Sequence, residues 1–226
     1  GRTRSPLTVE ELIEALHDLR FFVRFEAVMS MARHGPDPRL IEALIEVLEG
    51  KEPSLSTVAA WGLGRMGDEQ AVEALRTGLD ARYRSVQAHC ARSLGSLGDR
   101  AVIPLLVERL ATEGDVGLQM ALASALGSLG ATEAAGRLLA LLQSAGSKDV
   151  RMEFLLAVAR LVGKEHNFIQ LQRRVESEPG TALSHEVTRL KGMLNRAHHI
   201  TKEMEEALDA AAEALAQEAV EEGVGL

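Results

Sequence analysis

The chain has 226 residues, of which 46% are hydrophobic and 26% are charged, and its formal net charge is −8. A chain of this length and composition can bury a core, and its apolar runs are too short to cross a bilayer, so we expect a folded protein without a membrane-spanning segment. The single cysteine, Cys90, excludes an internal disulfide framework and favours a reducing compartment, the cytoplasm.

The negative charge is concentrated at the carboxyl end. Residues 201–226 hold eight acidic side chains against Lys202, whereas the other 200 residues hold 24 basic and 25 acidic side chains. A nearly neutral body does not attract phosphate backbones, and aromatic residues, at 3%, are too few to stack bases. We therefore expect no nucleic-acid partner.

Residues 1–8 are predicted to be an N-terminal extension. The chain begins with Gly1 and no signal-peptide pattern follows, so we expect either a piece of a longer protein or a first residue left by cloning. Arg2 and Arg4 are of the kind found on the cytoplasmic side of membrane spans.

A repeat of 31 to 33 residues begins at about residue 9. It is marked by glycines that close a helical pattern: Gly35, Gly67, Gly98, Gly130 and Gly163. The predicted array covers 9–195, with repeats at about 9–35, 40–67, 71–98, 101–130 and 134–163 and a degenerate copy at 168–194. Each repeat contains two stretches with apolar residues at helical spacing, so we predict an all-α fold of helical hairpins.

The second helices of the five repeats can be aligned from their first Val or Leu, and the fifth has one extra residue before its closing glycine. They read VRFEAVMSMARHG (23–35), LSTVAAWGLGRMG (55–67), VQAHCARSLGSLG (86–98), LQMALASALGSLG (118–130) and VRMEFLLAVARLVG (150–163). This pattern resembles the HEAT-like repeats of the phycocyanobilin-lyase type. The resemblance implies a right-handed α-solenoid of five to six repeats, with first helices convex and second helices concave. The repeat type serves bilin lyases, iron hydroxylases, base-excision enzymes and adaptors, so it does not by itself identify a function.

The same resemblance implies a ladder of Asp and Arg side chains between successive repeats. Arg24 and Arg151, with Asp18 and Asp149 upstream, match that ladder. Gln87 stands where the third repeat would have Arg, and we expect the ladder to be weaker there.

Helical geometry separates a core side from a binding side in these second helices. Numbered from the first Val or Leu, positions one, five, eight, nine and twelve face the core, and the small residues at position ten predict a close helix approach. Positions three, four, seven and eleven face away. There a stripe of Trp, Met and Phe bordered by Arg has the composition of protein-interaction hot spots. The candidate partner-binding residues are Phe25, Met29, Trp61, Arg65, Arg92, Met120, Met152 and Arg160. The alternative is that Phe25, Met120 and Met152 only fill gaps between repeats.

Catalytic and metal-binding patterns are not found in the sequence. Only His185-Glu186 has the residue order used by two-iron hydroxylases of this repeat type, and no nucleophile or phosphate-binding motif occurs in a suitable context. Cys90, at position five, is predicted to be an inert core thiol. We expect no catalytic residue, metal or cofactor.

Residues 196–226 form an acidic, Ala- and Glu-rich tail, predicted to be helical or disordered. Taken together, the sequence favours a non-enzymatic scaffold that binds a protein or peptide in a concave groove. One alternative is a cytosolic regulatory module appended to a bacterial membrane transporter and tethered through it to the membrane. Another is a bilin-lyase-like protein that handles a chromophore.

Overall fold

The computed structural model describes residues 7–161, which form ten α-helices and two short 3₁₀ turns. The helices are α1 (Val9–Ala15), α2 (Phe21–His34), α3 (Pro38–Glu49), α4 (Pro53–Met66), α5 (Gln70–Gly78), α6 (Arg84–Leu97), α7 (Ile103–Thr112), α8 (Val116–Ser128), α9 (Ala135–Ser144) and α10 (Lys148–Leu161). The 3₁₀ turns, Arg100–Val102 and Thr132–Ala134, precede α7 and α9. The predicted all-α class is confirmed. The predicted sixth repeat (168–194) and the tail (196–226) lie outside the described residues, and the division into extension, array and tail stays a prediction.

Side chains before α1, α3 and α8 accept hydrogen bonds from the first free N–H groups of these helices. The Thr8 hydroxyl accepts from the backbone N–H of Glu11, and the Glu11 carboxylate accepts from the N–H of Thr8, which makes a capping box at α1. The Asp115 carboxylate accepts from the N–H of Leu118 at the start of α8. Local chemistry therefore fixes where these helices begin.

Glycines end the second helices of the hairpins as the repeat pattern predicts. Gly67 and Gly98 follow α4 and α6 with φ of 72° and 74°, in the left-handed region that glycine adopts without strain. The next residues, Asp68 and Asp99, accept hydrogen bonds from the backbone N–H groups of Gln70 and Ala101 at 2.7 and 2.9 Å. The glycine punctuation predicted from the repeat is confirmed at these two helices.

The chain divides into two compact units, the first ending at Val102 and the second beginning at Ile103. In unit 1, α1, α3 and α5 pack in one layer and α2, α4 and α6 in a second, and each hairpin packs across the layers. The core between the layers is made mainly of leucines such as Leu44, Leu63, Leu75 and Leu94, all fully buried. Unit 1 is therefore a two-layer stack of helical hairpins.

The helices of unit 2 pack in the same way among themselves. Helix α7 packs on α8, α9 packs on α10, and α8 packs against α10. Leu106, Leu110, Leu122 and Phe154 are buried among these helices. In residues 7–161, no helix has the length and apolar character needed to cross a bilayer.

Candidate partner-binding face

The second helices of the hairpins, hereafter the inner helices, are α2, α4 and α6 in unit 1 and α8 and α10 in unit 2. Positions five, six, nine and ten are buried in all five of them. Position six, which the sequence analysis did not assign to the core, is therefore a core position. Position twelve is less uniform than predicted, because His34 is exposed there at the end of α2.

Small residues set the spacing of the inner helices. A Cβ atom placed on Gly62 would lie 3.0 Å from the Cβ of Ala32, and one on Gly64 would lie 2.5 Å from the Cβ of Ser93. In unit 2, a Cβ on Gly127 would lie 2.9 Å from the carbonyl oxygen of Ala157. Each contact joins position ten of one helix to position eight of the next. The close approach predicted at position ten is confirmed, and the same register recurs at three helix pairs.

Positions three, seven and eleven are at least partly exposed in every inner helix. We call these positions the inner-helix face and describe it for each unit separately. In unit 1 it consists of Phe25, Met29, Arg33, Thr57, Trp61, Arg65, Ala88, Arg92 and Ser96, and in unit 2 of Met120, Ser124, Ser128, Met152, Leu156 and Arg160. Position four was also predicted to face away, which is wrong for Ala121. That side chain is fully buried because α10 packs against α8.

Trp61 is the largest side chain exposed on the unit 1 face. It is 38% exposed, although Ala59, Ala60 and Leu63 beside it on α4 are fully buried. The guanidinium of Arg65, one turn further along, lies 5.8 Å from the centre of the Trp61 ring, within range of a cation–π interaction. The pair presents an aromatic surface and a charge side by side.

The other unit 1 candidates are exposed to different degrees. Arg92 is exposed on α6, whereas Phe25 and Met29 are half-buried on α2. The Phe25 ring lies 5.9 Å from that of Phe21, which contacts Phe22 at the same distance. Phe25 therefore belongs to an aromatic cluster at the start of α2, and part of its surface is engaged within the hairpin.

In unit 2, the three candidates are all half-buried. Met120 and Met152 occupy position three of α8 and α10. Arg160 donates a hydrogen bond from Nη1 to the Ser124 hydroxyl at 3.2 Å, which links position eleven of α10 to position seven of α8. This arginine therefore has a role between repeats in addition to the one predicted for it.

Position two of the inner helices holds a recurring hydrogen bond to the preceding turn. Gln87 donates to the carbonyl oxygen of Ala81 at 2.6 Å, and Gln119 donates to that of Glu113 at 2.7 Å. Arg24 makes the equivalent bond, 2.8 Å to the carbonyl oxygen of Asp18. In all three cases the acceptor is six residues upstream, so the side chain ties the turn to the inner helix.

At Asp18 the structure differs from the ladder expected from the resemblance. The Asp18 carboxylate pairs with Arg20, whose guanidinium holds the Asp18 pKa well below its usual range, and Arg24 instead reaches Glu52 of the next repeat at 2.6 Å. In the third repeat, the Gln87 amide bonds the same kind of turn carbonyl as Arg24 does, and the weaker ladder predicted there stays a prediction.

Cys90 lies in the core of unit 1, as predicted. Its side chain is fully buried, and a Cβ on Gly78 would collide with its sulfur. Burial raises the pKa of the thiol to about 12, so it stays protonated at neutral pH. Within residues 7–161, no group of three or more His, Cys, Asp or Glu side chains converges as a metal site would require.

Comparisons with known proteins agree with this architecture. A family model described as HEAT repeats matches residues 9–84, 41–123 and 79–159. The solved complex of CpcE and CpcF of phycocyanin lyase from Nostoc sp. PCC7120 is similar, with a TM-score of 0.64 and 21% identity over 94% of this chain and 97% of that one. An engineered protein is similar with a TM-score of 0.50 and 20% identity over 92% and 96% of the two chains. At these identities the likeness shows the fold. A search of curated proteins gives no match.

Proposed function

Because the chain belongs to the HEAT-repeat proteins, we propose that it is a non-enzymatic scaffold that binds a protein or peptide partner at the inner-helix face. Helical repeats stack into extended surfaces, and such surfaces are the usual binding sites of these folds. A cytoplasmic location is part of this proposal. The proposed partner-binding residues are those chosen from the sequence, and Trp61 is the main anchor on the unit 1 face.

The exposure of Trp61 is the observation that carries the proposal. An exposed indole leaves a large apolar area in water, and burying it against a partner would release that area from solvent. Tryptophan and arginine are the residues most enriched at energetic centres of interfaces. Trp61 and Arg65 occur together on α4, held at 5.8 Å by their helical spacing.

The half-buried methionines support the proposal in a different way. Met29, Met120 and Met152 each leave part of an unbranched side chain at the surface. Thioether side chains adapt to irregular partners because they rotate freely and are polarizable. In the proposal, Met29 adds contact area to the unit 1 face, and Met120 and Met152 add contact area to the unit 2 face.

Photo-crosslinking tests the proposal directly. A benzoylphenylalanine placed at Thr57, on the unit 1 face, should crosslink a protein or peptide partner in a cell extract of the source organism. The control position is Thr77, which is exposed on α5, a first helix of a hairpin. Equal products from both positions, or none from Thr57, would contradict the proposal.

Two matched pairs of variants sharpen the result. Trp61→Ala and Arg92→Glu should weaken binding of the crosslinked partner. Tyr83→Ala and Arg82→Glu should not, although Tyr83 is also exposed (41%) and also has an arginine, Arg82, over its ring at 5.7 Å. All four should keep the helical circular-dichroism spectrum of the parent.

The likeness to the phycocyanin lyase complex favours a second candidate, a protein that handles a bilin chromophore. Arginines on the inner-helix face could then pair with the two propionates of a tetrapyrrole. Incubation of the chain with free bilin, followed by absorption spectroscopy, tests this candidate. A red shift that Arg65→Ala abolishes would favour it over a peptide scaffold, and an unchanged bilin spectrum would remove it.

A further inference from the structure

Three arginines on the unit 1 face have no carboxylate partner among the described residues. These are Arg33, Arg65 and Arg92, and all three are exposed. Arg65 lies over the Trp61 ring, and no ion pair within residues 7–161 involves any of the three. Within the part of the chain that the structure describes, the charge of these three arginines is therefore unmatched.

Elsewhere in unit 1, four arginines are matched with acids, whereas Arg82, in the turn before α6, lies over the Tyr83 ring and has no ion pair among the described residues. The paired arginines are Arg20, Arg24, Arg39 and Arg76, whose carboxylate partners lie within 4 Å. Residues 7–102 contain fifteen acidic and eleven basic side chains, a net charge of −4. A cluster of unmatched cations on a unit of net negative charge is a local feature of this face. Glu26, at position four of α2, is the acidic side chain beside it.

The cations and the apolar side chains lie in two adjacent rows. Position eleven supplies Arg33 and Arg65, and Arg92 continues this edge from position seven of α6. The neighbouring row, nearer the starts of the helices, holds Phe25, Met29 and Trp61. The contacts between position ten of one helix and position eight of the next place α2, α4 and α6 in a common register. The cations therefore extend across all three helices, whereas Phe25, Met29 and Trp61 lie on α2 and α4. Adjacent packed helices are roughly 10 Å apart, which sets the step between successive side chains in a row.

Resting on the proposed function, we propose that the unit 1 face binds an acidic amphipathic helix. On such a helix, an apolar stripe runs beside a stripe of carboxylates, so one side matches both rows at once. Residues seven apart on a helix are separated by about 10.5 Å along its axis, close to the spacing of the inner helices. In an extended strand, neighbouring side chains point to opposite faces, so two different rows are harder to match.

Carboxylates are the complementary charge for these guanidinium groups. Arginine binds a carboxylate through two parallel hydrogen bonds, and it can do so while stacked on an aromatic ring. Arg65 is already held over Trp61 in that way. The apolar stripe of the partner would cover Trp61 and Met29, and its carboxylates would meet Arg65 and Arg92.

Three synthetic helical peptides test the inference on the full chain. They share one apolar stripe of leucines on an alanine-rich 21-residue helix and carry glutamate, glutamine or lysine at the flanking positions. Binding is measured by the anisotropy of a dye on the peptide. We expect the glutamate peptide to bind roughly tenfold more tightly than the glutamine peptide at low salt, because three exposed ion pairs are each modest. This preference should shrink in 0.5 M salt.

Charge reversal gives the decisive comparison. The variant R33E/R65E/R92E should lose the preference for the glutamate peptide and prefer the lysine peptide. If circular dichroism shows that the triple variant is unfolded, the single variant Arg92→Glu replaces it. Its preference for the glutamate peptide over the glutamine peptide should be at least threefold smaller than that of the parent. The matched control is Arg82→Glu, an exposed arginine of the turn before α6, which should keep the parent preference.

Failure of this inference differs from failure of the proposed function. Equal, Trp61-dependent binding of the glutamate and glutamine peptides would overturn the acidic partner and leave a peptide-binding face. Binding of none of the three peptides would also overturn the acidic helix, while the crosslinking at Thr57 would still decide whether the face binds a partner.

Discussion

The backbone of Gly64 lies directly against Ser93 of the next inner helix, so that a Cβ on Gly64 would be 2.5 Å from the Ser93 Cβ and 2.8 Å from its Cα. At the same contact, the Ser93 hydroxyl donates to the carbonyl oxygen of Ala60 at 2.8 Å. The absence of one side chain therefore lets α4 and α6 approach. That approach sets the spacing of Trp61 and Arg92 on the face.

Gly64→Ala is expected to destabilise the protein by about 1 to 3 kcal/mol, because the added methyl group must push the backbone of Ser93 away. An alanine in a helix interior would otherwise gain up to about 1 kcal/mol over glycine. Urea unfolding followed by circular dichroism measures the difference.

Gly114→Ala is the control for that experiment. A Cβ on Gly114 meets no atom within 4 Å, so the same chemical change should leave the free energy of unfolding within about 0.5 kcal/mol of the parent. A Gly64→Ala protein as stable as this control would show that the helices are not held together at Gly64.

Gln119→Ala is expected to lower the free energy of unfolding by about 1 to 2 kcal/mol. The side-chain amide is buried and donates to the carbonyl oxygen of Glu113 at 2.7 Å, so the substitution removes the bond between the turn and α8. Thermal unfolding of this variant beside Gln70→Ala, an exposed glutamine at the start of α5, measures the effect. A similar Tm for both variants would mean that the turn bond contributes nothing.

Periodicity was enough to predict the hairpins, because each of them repeats the same apolar spacing and ends at a glycine. The small residues at position ten also predicted the close approach later seen at Gly64 and Gly127. The shared role of the polar side chains at position two was harder to predict. Arg24, Gln87 and Gln119 look unrelated in sequence, and their common role depends on the distance from each side chain to a turn carbonyl that only the folded hairpin supplies.

The Cys90 thiol is expected to react slowly with a thiol-specific reagent in the native protein. With a pKa of about 12, roughly one thiol in ten thousand is ionised at pH 8, and the sulfur is also shielded by α5. Labelling with a chromogenic disulfide should be at least a hundredfold slower in buffer than in 6 M urea. Equal rates would place Cys90 at the surface and contradict the packing of α6.

The inner-helix face could be predicted only in outline. Helical spacing identified positions three, seven and eleven, but it could not distinguish the exposed Arg92 from Arg160, whose guanidinium is bonded to Ser124. Nor did it single out Arg33, whose relevance depends on its having no ion pair among the described residues. Those differences arise from contacts between helices, which one helix's sequence does not contain.

Lowering the pH should not release an acidic helix from the face until its own carboxylates are protonated. Arginine keeps its charge throughout, so peptide affinity should be constant above about pH 6 and fall below about pH 4.5. A pH series of peptide binding checks this, with the glutamine peptide as the reference for changes in the protein. A loss of affinity centred near neutral pH would instead indicate a histidine and contradict an arginine-based site.

Trp61 is the one tryptophan of the chain, so its fluorescence reports on the inner-helix face alone. The most direct measurement is a titration of the full chain with the partner crosslinked at Thr57, following the Trp61 emission maximum. The account predicts a saturable blue shift, and a partner affinity that Arg92→Glu lowers and Arg82→Glu leaves unchanged. A partner that binds fully while the emission stays constant, and whose affinity is the same for both variants, would contradict it.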